Sequence, residues 1–372
     1  MTLRGRATPE ATAAYAERQR TRAADRHFRR TADDLVMASI GIGTYLGEAV
    51  DATDEAYQEA VEQAVALGCN HVDTAINYRH QRSERAIGQA LKEAVRRGTV
   101  RREEVIIATK GGFVPFDGAE PHDPGKWVYR EFIETGLAHP NDFAANYRHC
   151  FAPDFLDAMI ERSRHNLGVE TIDIYYLHNP ETQRIPNTHE TFRSRMLDAF
   201  ETLEYAVQRG DIASYGVATW TAFRSPPNAP DFVSLTELVG LAFEVAGEAN
   251  HFWYVQLPYN LVMTEAFALV NQQVSDTFLS PIDAADDLGL TVVVSATLKQ
   301  GLLASPFMAD LSPYFPSAQT HAQRAIQFAR STPGVTSALV GMSQITHVEE
   351  NLALAAIPPV DPGVIRSLFP DT

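Results

Sequence analysis

Cysteine is nearly absent from this 372-residue chain, which has only Cys69 and Cys150. Two thiols cannot build a disulfide framework or a four-cysteine zinc site. Each reads as a small buried side chain. Lysine is scarce as well: Lys92, Lys110, Lys126 and Lys299 are the only four, and every other basic side chain is arginine. Long apolar runs are missing, since stretches such as 291–298 fall far short of the ~18 residues a membrane span needs. Positive charge is in deficit, with a formal net charge of −16. Such an acidic chain is a poor generic partner for nucleic acid or an anionic membrane, because phosphate attraction needs positive patches. The absences leave a chain expected in the cytoplasm, with 45% hydrophobic residues to form a large core.

The first 30 residues break the charge pattern, with eight arginines against three acids. No apolar secretory segment follows, and 9–28 reads as a polar helix. Residues 1–34 are therefore expected to form a helical arm, solvated or packed on a partner subunit. Residues 35–372 are expected to form one domain.

Within that domain, short β-rich apolar runs recur at 35–43, 71–75, 105–110, 172–178, 212–219, 252–259, 291–297 and 337–342. Stretches of helical period separate most of them, at 54–67, 83–95, 153–167, 192–209, 234–245, 321–330 and 346–355. Strands alternating with helices must pair in parallel, because each crossover needs a helix. Eight such units predict an α/β fold, a closed (β/α)8 TIM barrel. No Gly-x-Gly-x-x-Gly follows the first strand, which weighs against a doubly wound dinucleotide fold. The unit after the third strand is about 30 residues too long for an ordinary connection. Its insert, 111–152, holds eight aromatics from Phe113 to Phe151, too many for a disordered linker. It leaves a strand end, so a lid or substrate-pocket loop is expected, with a homo-oligomer contact as the alternative.

The strand ends carry the chemistry. Asp73 closes the second run and Tyr78 follows five residues later. Lys110 closes the third and His178 the fourth. Each has a plain structural reading alone, as a helix cap, a loop phenol, a strand-end ion pair or a histidine under a turn. Together, on one rim of a barrel, they suit proton transfer to a carbonyl oxygen. A tyrosine is a reluctant acid, with an ordinary pKa near ~10, and a neighbouring ammonium would favour its phenolate. Aspartate would pair the lysine, and histidine would orient the carbonyl. None of these groups delivers hydride, so a carbonyl reductase would need a nicotinamide cofactor.

The motifs Gly41-Ile-Gly-Thr-Tyr45, Val72-Asp-Thr-Ala-Ile-Asn-Tyr78, Ala108-Thr-Lys110, Ile172-Asp-Ile-Tyr-Tyr-Leu-His178, Val255-Gln256 and Glu349-Glu-Asn-Leu352 carry a resemblance. From about Leu35 to Ala356 the chain resembles an aldo-keto reductase. The resemblance implies hydride transfer between NADP(H) or NAD(H) and a small-molecule carbonyl or alcohol, with Asp73, Tyr78, Lys110 and His178 as the catalytic tetrad. It implies cofactor contacts at Gly43, Thr44, Asp73, Thr219, Gln256 and Ser295. Further contacts are implied at Leu298, Gln300, Gly341, Met342, Ser343, His347, Glu350 and Asn351. The substrate pocket is expected to include Tyr45, Phe113, Trp127 and Trp220. The sequence departs from the family where Ala218-Thr219 replaces Ser-Asn, and where Gly341 and His347 replace the basic pair of many NADPH-preferring members.

Two other readings compete. His71, Asp73 and His178 could ligate a metal in a barrel hydrolase, although Tyr78 and Lys110 would then be idle; no metal is expected. The chain could also be a nicotinamide-binding subunit that senses redox state.

Overall fold

A computed structural model describes residues 2–305 and 310–369, so the last three residues of the expected domain lie outside the described ones. Eight parallel strands close a barrel. They are β1 Ile40–Gly43, β2 His71–Asp73, β3 Ile106–Gly111, β4 Ile172–His178, β5 Ile212–Ala218, β6 Phe252–Pro258, β7 Thr291–Ser295 and β8 Val335–Gly341. Each pairs with its sequence neighbour, and β8 returns to β1 through Ala338–Ile40 to Gly341–Gly43. Alternation along the strands divides the core. Ile174 and Tyr176 of β4 face the barrel interior with Ile106, Ala108, Tyr254, Val293 and Leu339. Tyr175 and Leu177 face the helices outside.

The helices arise where expected, with Pro153–Leu167 matching to the residue and the Asp51–Ala66 and Arg82–Arg96 helices widening by one to three residues at most ends. Between β6 and β7 the chain forms a hairpin, Gln272–Val274 with Thr277–Leu279, before the short Pro281–Asp287 helix.

Two expectations need correction. The run 35–43 is not one strand. Its first half, Val36–Ala38, turns antiparallel to Phe28–Arg30, and only its second half joins the barrel. Leu35 and Met37 thereby plug the barrel floor. The N-terminal arm is not solvated either, and its helix ends at Arg18. Thr8 caps it through the Ala11 amide, and Tyr15 is fully buried, donating to the Val65 carbonyl at 2.6 Å. The Ala7 amide donates to Asp173 at 2.6 Å, and Arg18 grips Glu104 with both terminal nitrogens. A narrow face of Ala11, Thr12 and Tyr15 suffices to seal the arm onto its own barrel, because it lands on an apolar base. Among the described residues no helix is long and apolar enough to cross a membrane.

The insert after β3 is folded. It carries a helical segment from Pro124 to Ile133, a turn at Pro140–Asp142, and a hairpin joining Phe143–Ala144 to His149–Cys150. Its rings meet edge to face along a line: Phe116 with Trp127, Trp127 with Phe132, and Phe132 with Phe155 of the Pro153–Leu167 helix, centroids 5.0–5.5 Å apart.

Candidate active site

The C-terminal strand ends open into a cavity of about 800 Å³. At its floor Lys110 and Asp73 form a buried pair, Nζ to Oδ1 at 2.6 Å, bridging the parallel β2 and β3. Lys110 also donates to the Thr74 carbonyl at 2.7 Å, and Gln256 Nε2 donates to the second Asp73 oxygen at 2.8 Å. Burial pushes the Asp73 carboxyl up and the Lys110 amine down, while their mutual attraction opposes both shifts. The surrounding hydrogen bonds favour the charged forms. Gly111 follows Lys110 because a Cβ there would lie 2.0 Å from Tyr175 Oη.

Tyr78 and His178 stand over this pair. The Lys110 nitrogen lies 5.1 Å from the Tyr78 ring centre, and the Tyr78 and His178 rings are 5.9 Å apart. The phenol departs from the expectation of a lysine-lowered acid. Burial raises it well above its ordinary value, and Asp73 and Tyr45 raise it further. The positive charge of Lys110 is engaged by Asp73 instead. Burial holds His178 well below its ordinary value, with Lys110 and then His149 adding to the fall. The arrangement is thus a neutral phenol beside a neutral imidazole, both able to donate to one small oxygen.

Most of the expected cofactor contacts line the same cavity. Gly43, Thr44, Thr219, Gln256, Ser295, Leu298, Gln300, Gly341, Ser343, His347, Glu350 and Asn351 all do, in an arc from Asp73 and Tyr78 to the Ile345–Leu352 helix. Met342 does not. Alternation at the end of β8 turns its side chain into the core between barrel and helices, where it is fully buried. Gln256 has its amide donor on Asp73, so it faces the cavity as part of the tetrad's support. Lys299 lines the cavity.

The residues fit a cofactor that is both polar and elongated. Asn77 Oδ1, His178 Nδ1, Thr297 Oγ1 and Asn351 Oδ1 belong to cavity-lining residues, yet are buried with no hydrogen-bond partner among the described residues. Buried polar atoms left this way need a ligand or water. The Ile345–Leu352 helix has no side-chain cap at Gln344, leaving first-turn amides available to an anion.

Of the expected substrate residues, Tyr45, Phe113 and Trp220 line the cavity, with Tyr45 5.0 Å from Tyr78 and Phe113 5.0 Å from His178. Trp127 does not; it packs inside the insert between Phe116 and Phe132, because that loop needs a core of its own. Sequence reasoning missed Leu46, Tyr57 and Asn179 as lining residues. Asn179 could have been flagged by its adjacency to His178. It also missed Glu181, whose buried Oε1 accepts from the Trp220 and Thr221 amides at 2.6 and 2.8 Å. The three-ligand metal reading is overturned by geometry. His71 turns to Ser337 at 3.0 Å, away from His178, and no cluster of three metal-binding side chains occurs among the described residues.

Comparisons with known proteins agree with this geometry. The sequence matches the family model described as "Aldo/keto reductase family" over residues 39–313. An uncharacterized oxidoreductase of Bacillus subtilis, YqkF, is 24% identical over 328 residues, 87% of this chain and 88% of that protein. The NADP(+) aldo-keto reductase yakc of Schizosaccharomyces pombe is 29% identical over 40% of this chain and 36% of its own length. Among solved structures, the holo form of AKR11C1 from Bacillus halodurans superposes with a TM-score of 0.62 at 19% identity, covering 92% of this chain and 95% of its own. An aldo/keto reductase from Klebsiella pneumoniae, in complex with NADP and acetate, gives 0.61 at 18% identity over 92% and 94%. At these identities the superpositions speak for the fold. The family match covers well over half of the sequence, and the chain belongs to the aldo/keto reductase family.

Proposed function

We propose that this protein is a nicotinamide-dependent carbonyl reductase or alcohol dehydrogenase, with Tyr78 as proton donor in the direction of reduction. The observation that carries the reading is the buried Lys110–Asp73 pair beside Tyr78 and His178 at the floor of one large cavity. When bound, NADP(H) or NAD(H) supplies or accepts the hydride. The arc from Thr219 and Ser295 to Ser343 and Asn351 would hold it, with the uncapped helix start near Ser343 suited to phosphate.

The chain's own residues manage the carbonyl oxygen. Tyr78 Oη holds the proton that passes to it. Lys110, its charge largely engaged by Asp73, faces the Tyr78 ring and partly offsets the negative charge that develops on the phenol. Asp73 and Gln256 hold Lys110 in place without reaching the substrate. Neutral His178 donates a hydrogen bond that orients the carbonyl, and Tyr45, Phe113 and Trp220 exclude water around it.

Fluorescence titration with NADPH and NADH, followed by a carbonyl panel with the tighter cofactor, tests the reading. Saturable binding with carbonyl-dependent cofactor oxidation is expected. Tight binding with no turnover on any carbonyl would move the protein to a redox-sensing role.

A further inference from the structure

The insert after β3 lies outside the motifs that carry the chemistry, yet it touches both proton-handling residues from behind. One contact runs through His149, which is fully buried on the insert's hairpin. Its hydrogen-bond roles follow from a chain of donors. Arg195 of the His189–Arg209 helix can only donate, and it donates to Gln183 Oε1. Gln183 Nε2 therefore faces His149 Nδ1, at 3.0 Å, and donates to it. The proton of the neutral ring must then sit on Nε2, which donates to the backbone carbonyl of His178 at 2.7 Å. Arg195 also binds the carbonyls of Asn141 and Asp142, so the chain is anchored in the insert at both ends. Phe113 completes the support, its ring edge-on to His149 at 4.9 Å and to His178 at 5.0 Å. Gly112 lets the strands approach this closely: a Cβ there would meet Phe151 at 2.6 Å and His149 Nε2 at 3.0 Å.

The second contact lies behind Tyr78. The next three residues, Arg79, His80 and Gln81, all have left-handed φ of 45°, 57° and 72°. Such residues cost roughly 1–2 kcal/mol each and persist only where the surroundings hold them. The insert supplies part of that hold. Gln81 Nε2 donates to the Phe116 carbonyl at 3.1 Å, and the Gly118 amide donates to the His80 carbonyl at 3.0 Å. On the barrel side, Arg79 binds Asp54 and Ser83.

We propose that the insert is a fixed clamp that sets the positions of His178 and Tyr78, with His149 as the positioning residue behind His178. The inference rests on the carbonyl-reductase reading for its kinetic test but not for its structural one. A lid would carry its aromatics toward the substrate; here Phe113 alone of the insert's residues lines the cavity, while Phe116, Trp127, Phe132 and Phe143 pack on one another or on the barrel's outer helix. Burial also holds the His149 imidazole down at about 4, so the Nε2–H form persists through neutral pH.

The test compares His149→Phe, which keeps a ring beside Phe113 but has no donor, with His149→Gln, whose amide can reach the same carbonyl. In His149→Phe, kcat is expected to fall ~10-fold or more, with cofactor affinity within about two-fold of wild type, because small displacements of a catalytic group are costly. His149→Gln is expected to recover most of that loss. In ¹⁵N-histidine-labelled protein without substrate, the His178 imidazole resonances are expected to shift in the Phe variant and return in the Gln variant. Unchanged kcat and unchanged His178 resonances in His149→Phe would overturn the clamp, as would a loss shared equally by both variants. If the wild type reduces no carbonyl while the resonances still follow residue 149, the carbonyl-reductase reading fails and the clamp stands.

Discussion

The Lys110 ammonium is 2.6 Å from Asp73 Oδ1 and 5.1 Å from the centre of the Tyr78 ring. The aspartate holds the charge, and the charge faces the phenol. Tyr78→Phe removes the proton and leaves the pair intact. Turnover is expected to fall by ~10²-fold or more, with cofactor affinity nearly unchanged. Steady-state rates and fluorescence titration together check this, and near-wild-type turnover would remove Tyr78 from the mechanism.

Asp73→Asn acts on the other side of the same relationship. It leaves a buried ammonium with no counter-ion, which typically destabilises by ~3–5 kcal/mol. Lys110 is then expected to lose its proton at lower pH than in wild type, since burial already lowers it and Asp73 is the chief group that raises it. Urea unfolding reads the first effect. A new basic limb in the turnover profile, absent from wild type, reads the second.

Phe113 and Trp127 separate the two tasks of the insert. Phe113→Ala is expected to raise KM for the carbonyl and lower kcat with little change in thermal midpoint, because that ring lines the cavity. Trp127→Ala is expected to cost about 3 kcal/mol of stability and leave KM alone, because that ring fills the insert's own core. Thermal melts and substrate titration on both variants check the pair. A Trp127→Ala protein with raised KM and wild-type stability would put this ring back in the substrate pocket.

Four histidines lowered by burial make stability depend on pH, His178 among them, held well below its ordinary value. Burial lowers His27 to about 4, His71 to about 3 and His149 to about 4. The unfolded chain binds these protons near its ordinary value of ~6.5, so between ~6.5 and 4 it carries more protons than the folded one. Stability from these groups is therefore full above ~6.5 and is lost as pH falls toward 4. Thermal midpoints measured from pH 8 to pH 4 should hold steady and then decline below about 6.5. Replacing His71 by a neutral residue of similar size should flatten the decline.

Turnover should respond to pH less than stability does. His178 is held well below its ordinary range and Tyr78 well above its own. Neither group changes charge near neutrality, so kcat/KM for reduction is expected to be flat from about pH 6.5 to 9. A bell with limbs near ~6.5 or ~9 would show that one of them titrates in the working range.

Much of this molecule follows from residue patterning alone. Apolar runs such as 172–178, separated by helical stretches such as Pro153–Leu167, can bury themselves only as strands and helices of alternating type, and eight such units favour closure. The meeting of Asp73 and Lys110 was legible for the same reason. A lysine that ends a β-branched run must project at the strand's end, and neighbouring parallel strands bring Asp73 and Lys110 to one rim whatever the rest of the chain does. Tertiary structure decided what depends on groups far apart in sequence. Trp127 and Met342 looked available to a ligand until the insert and the helix–barrel core claimed them. The arm read as solvated because Tyr15 is one aromatic in a polar helix, and only the carbonyl of Val65 and the apolar base give it a burial site. The phenol's elevated pKa, and the hydrogen bond from His149 to His178, likewise arise from burial and partners that local sequence cannot express. Period and residue type specify which side chains a strand presents; desolvation and long-range hydrogen bonds set their charge, their reach and their neighbours.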